Sequence, residues 1–284
     1  MHAFTTLIDA ATLSSQLERP DLVLFDCRFD LANTSWGEIE FAAAHIPGAQ
    51  YLHLDRDLSA PITATSGRHP LPDPRALALR LGTLGVDSNC QIVAYDQGSG
   101  AYGARLWWLA RWIGLEKVAV LDGGVAAWRA AGLPLESSVR IPRARTFVAR
   151  PKDAAWLGSD AMNEARTHSG TLIVDARGAE RFAGRNETLD PVAGHVPGAR
   201  NLPFLGNLGA DGKFLPAEEL QRRWSVFLGS VPASAVVAMC GSGVTACQNL
   251  LALEHAGFPG ARLYAGSWSE WIRDPGRPIA TGAY

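Results

Sequence analysis

The sequence predicts an α/β protein built from two tandem copies, each a mostly parallel sheet flanked by helices. Two observations carry that expectation. Short apolar runs rich in Val, Ile and Leu alternate with longer helical patterns, which is the spacing of α/β units around a parallel sheet. Four landmarks also return in one order: Asp26 and Asp175 lie 149 residues apart, His45 and His195 150, Asp96 and Cys240 144, and Trp128 and Trp271 143. Offsets that agree within seven residues mark an internal duplication. The length of 284 residues, 47% of them hydrophobic, suits two domains with a sizeable core each.

Taken in order, Leu22–Arg28 reads as a buried strand and Gly37–Ala44 as a short helix. His45-Ile-Pro-Gly-Ala49 reads as a turn into the strand Gln50–Leu54. A polar, Pro-rich loop spans Ser59–Pro74, and a helix follows through Leu84. Gln91–Asp96 is the next strand, Gln97–Gly100 a glycine loop and Tyr102–Ile113 a helix. Lys117–Leu121 then forms a strand, and Asp122-Gly-Gly124 turns into a helix carrying Trp128. The second copy repeats this order from Thr171–Arg177 through Gly194–Leu202 and Val236–Cys240 to Ala265–Trp271. The expected division is an N-terminal copy at 1–136, an Arg- and Pro-rich linker at 137–155 and a C-terminal copy at 156–284.

Composition narrows the function. With 26 basic and 28 acidic residues the net charge is −2, which gives no electrostatic footprint for nucleic acid. Cys27, Cys90, Cys240 and Cys247 are scattered, with no Cys-x-x-Cys pair, so neither a metal nor a disulfide framework is expected. No run is long and apolar enough to span a bilayer, and the first residues lack the pattern of a secretory signal. The expected location is the cytoplasm, with no membrane partner.

Chemistry concentrates in Ala235–Leu250. The first half of that stretch is an apolar strand, the second a helix, and Cys240 falls where the strand ends. Gly241 and Gly243 let the turn fold tightly, so that backbone N–H groups converge beside the sulfur at a helix N-terminus. The thiolate is the nucleophilic form of cysteine, and such surroundings favour it. The first copy carries Asp96 at the matching position and cannot do thiol chemistry. Only the second copy can hold the nucleophile.

The paired landmarks resemble the two-domain sulfurtransferases of the rhodanese family. Phe41-Ala-Ala-Ala-His-Ile-Pro-Gly-Ala-Gln-Tyr-Leu52 matches the family's N-terminal signature, and Ala261-Arg-Leu-Tyr-Ala-Gly-Ser-Trp-Ser-Glu-Trp271 matches its C-terminal one. The resemblance covers nearly the whole chain. It implies two rhodanese-like domains, an active site in the cleft between them, and a persulfide on Cys240. Within the family, Cys240-Gly-Ser-Gly-Val-Thr245 looks like the loop of 3-mercaptopyruvate sulfurtransferases, whereas thiosulfate-preferring members place Arg or Lys there.

The implied reaction takes sulfur from a small-molecule donor to a thiol, such as that of a thioredoxin-like protein, or to cyanide, with no cofactor and no metal. The expected donor is 3-mercaptopyruvate, with thiosulfate as the alternative. Ser242 and His45 are the implied partners of Cys240, in a serine–histidine–acid linkage whose acid is sought among Asp30 and Glu38. Gly241, Gly243, Val244 and Thr245 line the donor site, with Thr245 also read as a helix cap. Arg181 matches the family arginine for the donor carboxylate. A second family arginine, nine residues later, is missing: the stretch is Glu187-Thr-Leu-Asp190, and Arg185 is the expected substitute. His195 reads as a structural turn histidine. A phosphatase would need arginine where Ala246 stands.

Overall fold

The computed structural model describes residues 3–282. Its first sheet comprises β1 (Leu7–Ile8), β2 (Leu22–Asp26), β3 (Gln50–Tyr51), β4 (Gln91–Tyr95) and β5 (Val118–Leu121). All pair in parallel, in the order β1-β5-β4-β2-β3. The second comprises β6 (Trp156–Leu157), β7 (Leu172–Asp175), β8 (Ala199–Asn201), β9 (Val236–Met239) and β10 (Arg262–Tyr264). It repeats the first strand for strand, as β6-β10-β9-β7-β8, again all parallel. The duplication read from four landmarks is thus a duplication of topology.

The central strands are apolar on both faces because helices cover both. β4 and β9 are buried at every residue. In the first unit Leu24, Val93, Tyr95, Leu121 and Trp128 pack into one core; in the second, Met162, Ile173, Val237, Met239, Tyr264, Trp268 and Trp271 do so. In each unit, consecutive strands run outward to one side from β2 (or β7) and to the other from β4 (or β9). Between those two central strands the winding reverses, and open parallel sheets place their sites at the carboxyl ends of strands at such a point. Asp96 follows β4 there, and Cys240 follows β9.

The chain divides into two compact units, with boundaries that differ from the expected ones in two respects. One unit holds the chain through Ala60, Leu71–Lys152 and Ala210–Phe214; the other holds Pro61–Pro70, Asp153–Gly209 and the chain from Leu215. Most of the presumed linker therefore packs with the first unit. Arg145 N donates to the Gly82 carbonyl and Arg150 N to that of Ile113, which ties the segment down. Conversely, the middle of the Pro-rich loop belongs to the second unit.

The two copies share one further device. Arg28 bonds the Asp26 carboxylate and the Ala44 carbonyl, and Arg177 bonds Asp175 and the Gly194 carbonyl in the same way, all four side chains being buried. These pairs close the first long strand of each copy and hold the turn that leads to the next.

Candidate active site

At the end of β9 the chain turns through Gly241-Ser242-Gly243 into the helix Thr245–His255. Gly243 has φ +79°, and a Cβ on it would stand 2.3 Å from the Ala265 carbonyl oxygen, so only glycine fits. The turn brings the Gly243 N–H to 3.1 Å and the Ser242 N–H to 3.4 Å from Cys240 Sγ. The sulfur accepts two hydrogen bonds at the N-terminal end of an 11-residue helix, a setting that stabilises an anion.

A second turn fixes this one from behind. Cys240 N donates to Ser267 Oγ at 3.0 Å, and that hydroxyl donates to the Tyr264 carbonyl, also at 3.0 Å. Trp268 N and Ser269 N donate to the carbonyls of Cys240 and Gly241. Ser267 does this from φ +53°, the one positive φ outside glycine among the described residues. The strain sits directly against the Cys240 backbone.

Segment Pro61–Pro70 completes the site. Arg68 N donates to Ser269 Oγ at 3.0 Å and Arg273 Nε to the Ser66 carbonyl at 3.3 Å. Gly67 passes so close that a Cβ would lie 2.6 Å from the Gly266 oxygen. So held, His69 sets Nδ1 2.7 Å from Ser242 Oγ, with both residues buried.

Charges gather beside the loop. Arg181 Nε bonds both Glu187 oxygens at 3.0 Å, and its Nη2 reaches Asp190 Oδ2 at 3.1 Å. Arg68 Nη1 takes the other Asp190 oxygen. Burial pushes the Asp190 carboxyl up, the charge of Arg68 opposes this, and the nearby Glu187 adds to the rise. Burial also pushes Glu187 up, but the Arg181 hydrogen bond and the N–H groups of Leu189 and Asp190 outweigh it and hold Glu187 below its usual value.

The structure brings together Cys240, Gly241, Ser242, Gly243 and Arg181. Val244 is the residue capping the helix, buried and without a side-chain cap bond; Thr245 is the first helical residue, so it is not the cap the sequence suggested. Two further expectations need correcting. The imidazole on Ser242 is that of His69, not His45. His45 stacks on Phe41 at 4.0 Å and bonds the carbonyls of Phe41 and Ser138 within the first unit. His195 repeats that arrangement on Phe182, at 3.8 Å, so the motif histidine is a turn-holder in both copies. The two acids sought for His45 are engaged elsewhere: Asp30 accepts the N–H of Ala32 and Asn33, and Glu38 pairs with Arg56.

Arg185 is the second correction. Its guanidinium lies on Glu180 at the surface, both side chains about 60% exposed (61% and 60%), while Arg68 stands at the loop. Sequence reasoning passed over both Arg68 and His69. The signal available was the length of the Ser59–Pro74 loop, since long structureless loops in compact domains are usually functional.

The first copy shows what its loop does without a thiol. The Asp96 carboxylate accepts N–H groups from Gly98, Gly100, Tyr102 and Gly103, filling the nest with a charge of its own. Burial pushes this carboxyl up against the pull of those four donors.

Comparison with known proteins bears on the family and the fold. The chain is 49% identical over 278 residues to a "Probable 3-mercaptopyruvate sulfurtransferase" of Pseudomonas aeruginosa, covering 97% of this chain and 98% of that one. It is 33% identical over 292 residues to "Thiosulfate/3-mercaptopyruvate sulfurtransferase 2" of Arabidopsis thaliana, covering 94% and 84%. The structure of 3-mercaptopyruvate sulfurtransferase from Leishmania major superposes with a TM-score of 0.84 at 32% identity, over 95% of this chain and 76% of that one. The rhodanese-like domain matches twice, at residues 9–131 and 158–274, and the chain belongs to the rhodanese family with one such domain in each half.

Proposed function

We propose that the protein is a sulfurtransferase that takes sulfur from 3-mercaptopyruvate and passes it on through a persulfide on Cys240. The observation that carries this reading is the single thiol placed under two N–H donors, with a histidine-linked hydroxyl beside it. The relatives' names support the donor.

In this reading the Cys240 thiolate attacks the donor sulfur. The new S–S bond forms as the bond between sulfur and C3 breaks, and that electron pair goes to the pyruvate enolate. Ser242, backed by His69, donates a hydrogen bond to the enolate and relays to its carbon the proton that the donor thiol brought in, which leaves the persulfide as its anion. The N–H groups of Ser242 and Gly243 then stabilise the persulfide anion. An acceptor thiolate, or cyanide, attacks the outer sulfur and returns Cys240 as thiolate, a double displacement. No helix among the described residues is long and apolar enough to cross a membrane. We place the protein in the cytoplasm, where four buried cysteines without a disulfide suit a reducing medium, with a thioredoxin-like thiol as acceptor.

Thiosulfate is the second donor considered. It is favoured by the two guanidinium groups beside the loop, which suit a dianion, and by the name of the Arabidopsis relative. Mass spectrometry after incubation with each donor tests both. One extra sulfur on Cys240 is expected, and Cys240→Ser should abolish it. No mass gain with either donor, or a gain on another cysteine, would sink the proposal. A higher kcat/KM for thiosulfate would reverse the donor assignment.

A further inference from the structure

Arg68 takes no part in the bond-making steps above, yet its position is closely fixed. The backbone leading into it is fastened to the Ser267–Trp271 helix, by Arg68 N on Ser269 Oγ and by Gly67 N on Glu270 Oε2 at 3.4 Å. Its guanidinium is held by Asp190, whose side chain is only 2% exposed, whereas Arg68 and Arg181 are 25% and 23% exposed and open to solvent. Asp190 is therefore a buried peg between two reachable cations.

Their remaining N–H groups converge. A Cβ built on Gly241 would lie 2.8 Å from Arg68 Nη2 and 3.5 and 3.6 Å from the two Arg181 Nη atoms. Among the described residues, Arg68 Nη2 and Arg181 Nη1 make no hydrogen bond to the protein, and both adjoin the residue next to the nucleophile. Two guanidinium groups with spare donors aimed at one spot form a site for a carboxylate or another oxyanion. The glycine at 241 is what leaves room for Arg68 to reach in. A side chain there would displace it.

We infer that Arg68, paired with Arg181 across Asp190, binds the anionic group of the sulfur donor. It supplies, from a different part of the chain, the second guanidinium that the stretch Glu187-Thr-Leu-Asp190 lacks. This rests on the donor reading given above. A 3-carbon keto acid with its thiol two carbons from the carboxylate would then lie across Gly241, anion at the arginines and sulfur at Cys240.

The test compares wild type with Arg68→Gln, Arg68→Lys and Gly241→Ala. Losing a hydrogen bond to a charged group should raise the KM for 3-mercaptopyruvate roughly ten- to a hundredfold in Arg68→Gln, with kcat much less affected. Arg68→Lys should recover only part of this, because a point charge cannot reproduce the planar fork. Gly241→Ala should show the same KM defect with Arg68 itself intact. Transfer of sulfur from the preloaded persulfide to 2-mercaptoethanol, which carries no anion, should be unchanged in Arg68→Gln.

Calorimetric titration with pyruvate reads the site without turnover, and weaker binding by Arg68→Gln is the expected result. An unchanged pyruvate affinity or an unchanged KM in folded Arg68→Gln would overturn the role of Arg68. Wild type that binds pyruvate through Arg68 but gains no sulfur from 3-mercaptopyruvate would instead overturn the donor reading and leave the anion site standing.

Discussion

His69 Nδ1 lies 2.7 Å from Ser242 Oγ, although the two residues are separated by 173 positions in the chain. Pro61–Pro70 carries the histidine into the unit that holds the cysteine. The pair matters most where a proton must reach a carbon leaving group. An enolate needs one; sulfite, the leaving group of thiosulfate, does not. His69→Ala and Ser242→Ala should therefore each lower kcat with 3-mercaptopyruvate by about 10²- to 10⁴-fold, the usual worth of general acid catalysis. The double variant should lose little more, because the two act as one relay. Persulfide formation from thiosulfate should survive in all three. An equal loss with both donors would show the pair to be structural.

The fold and the turn that carries Cys240 could be read before the structure for a physical reason. Val236–Met239 is a short run buried on both faces, so its composition announces a central strand, and the glycines after Cys240 announce a turn that only glycine can make. The edge strands β1 and β6 were not legible. Each has two residues, too few for any periodicity to register. The partners of Ser242 were illegible for another reason. His45 sits in a strong motif and His69 in a polar loop, and sequence distance carries no information on which imidazole reaches the hydroxyl. Arg185 failed likewise: its proximity along the chain to Arg181 was real, but Glu180 holds it at the surface.

Gly243 offers a test of the loop itself. Alanine there must adopt a left-handed φ of +79° and bring Cβ against the Ala265 carbonyl, which belongs to the backbone and cannot rotate away. The conformational strain alone costs about 1–3 kcal/mol, and the clash adds to it. Gly243→Ala should melt lower than wild type and load sulfur poorly even when folded, because the shifted turn withdraws an N–H from Sγ. Normal loading rates in this variant would mean that the N–H contacts do not matter.

Ser267 can be weighed against Gly124, which holds the same place in the first copy at φ +55° against +53°. The first copy took the relaxed residue; the second keeps a strained serine whose hydroxyl receives the Cys240 N–H. Ser267→Ala retains the strain and leaves that buried N–H without its partner, a loss of about 1–3 kcal/mol. Ser267→Gly loses the same bond but relaxes the backbone, so it should be more stable than the alanine variant by roughly 1 kcal/mol. Denaturant unfolding of the three proteins measures both differences. Equal stability of alanine and glycine would show that the backbone moves to relieve the strain.

The carboxylates around Arg181 make the second unit sensitive to acid in a way that can be assigned. Glu187 is held below its ordinary value of 4.5 because the Arg181 guanidinium and two backbone N–H groups favour its charged form more than burial disfavours it. The unfolded chain then binds the proton first, so stability rises with pH through that window. The contribution of Glu187 is fully present above 4.5 and is lost as the pH falls through the lower folded value. Asp190 acts in the opposite sense. Burial raises it above 3.8, so its contribution is present below that value and declines as the pH rises through the higher folded one. Unfolding free energies measured from neutral pH to below 4.5 should therefore fall less steeply in Glu187→Gln than in wild type, and more steeply in Asp190→Asn. Two slopes shifted in the same direction would mean that the Arg181 pair does not divide the two acids as its hydrogen bonds indicate.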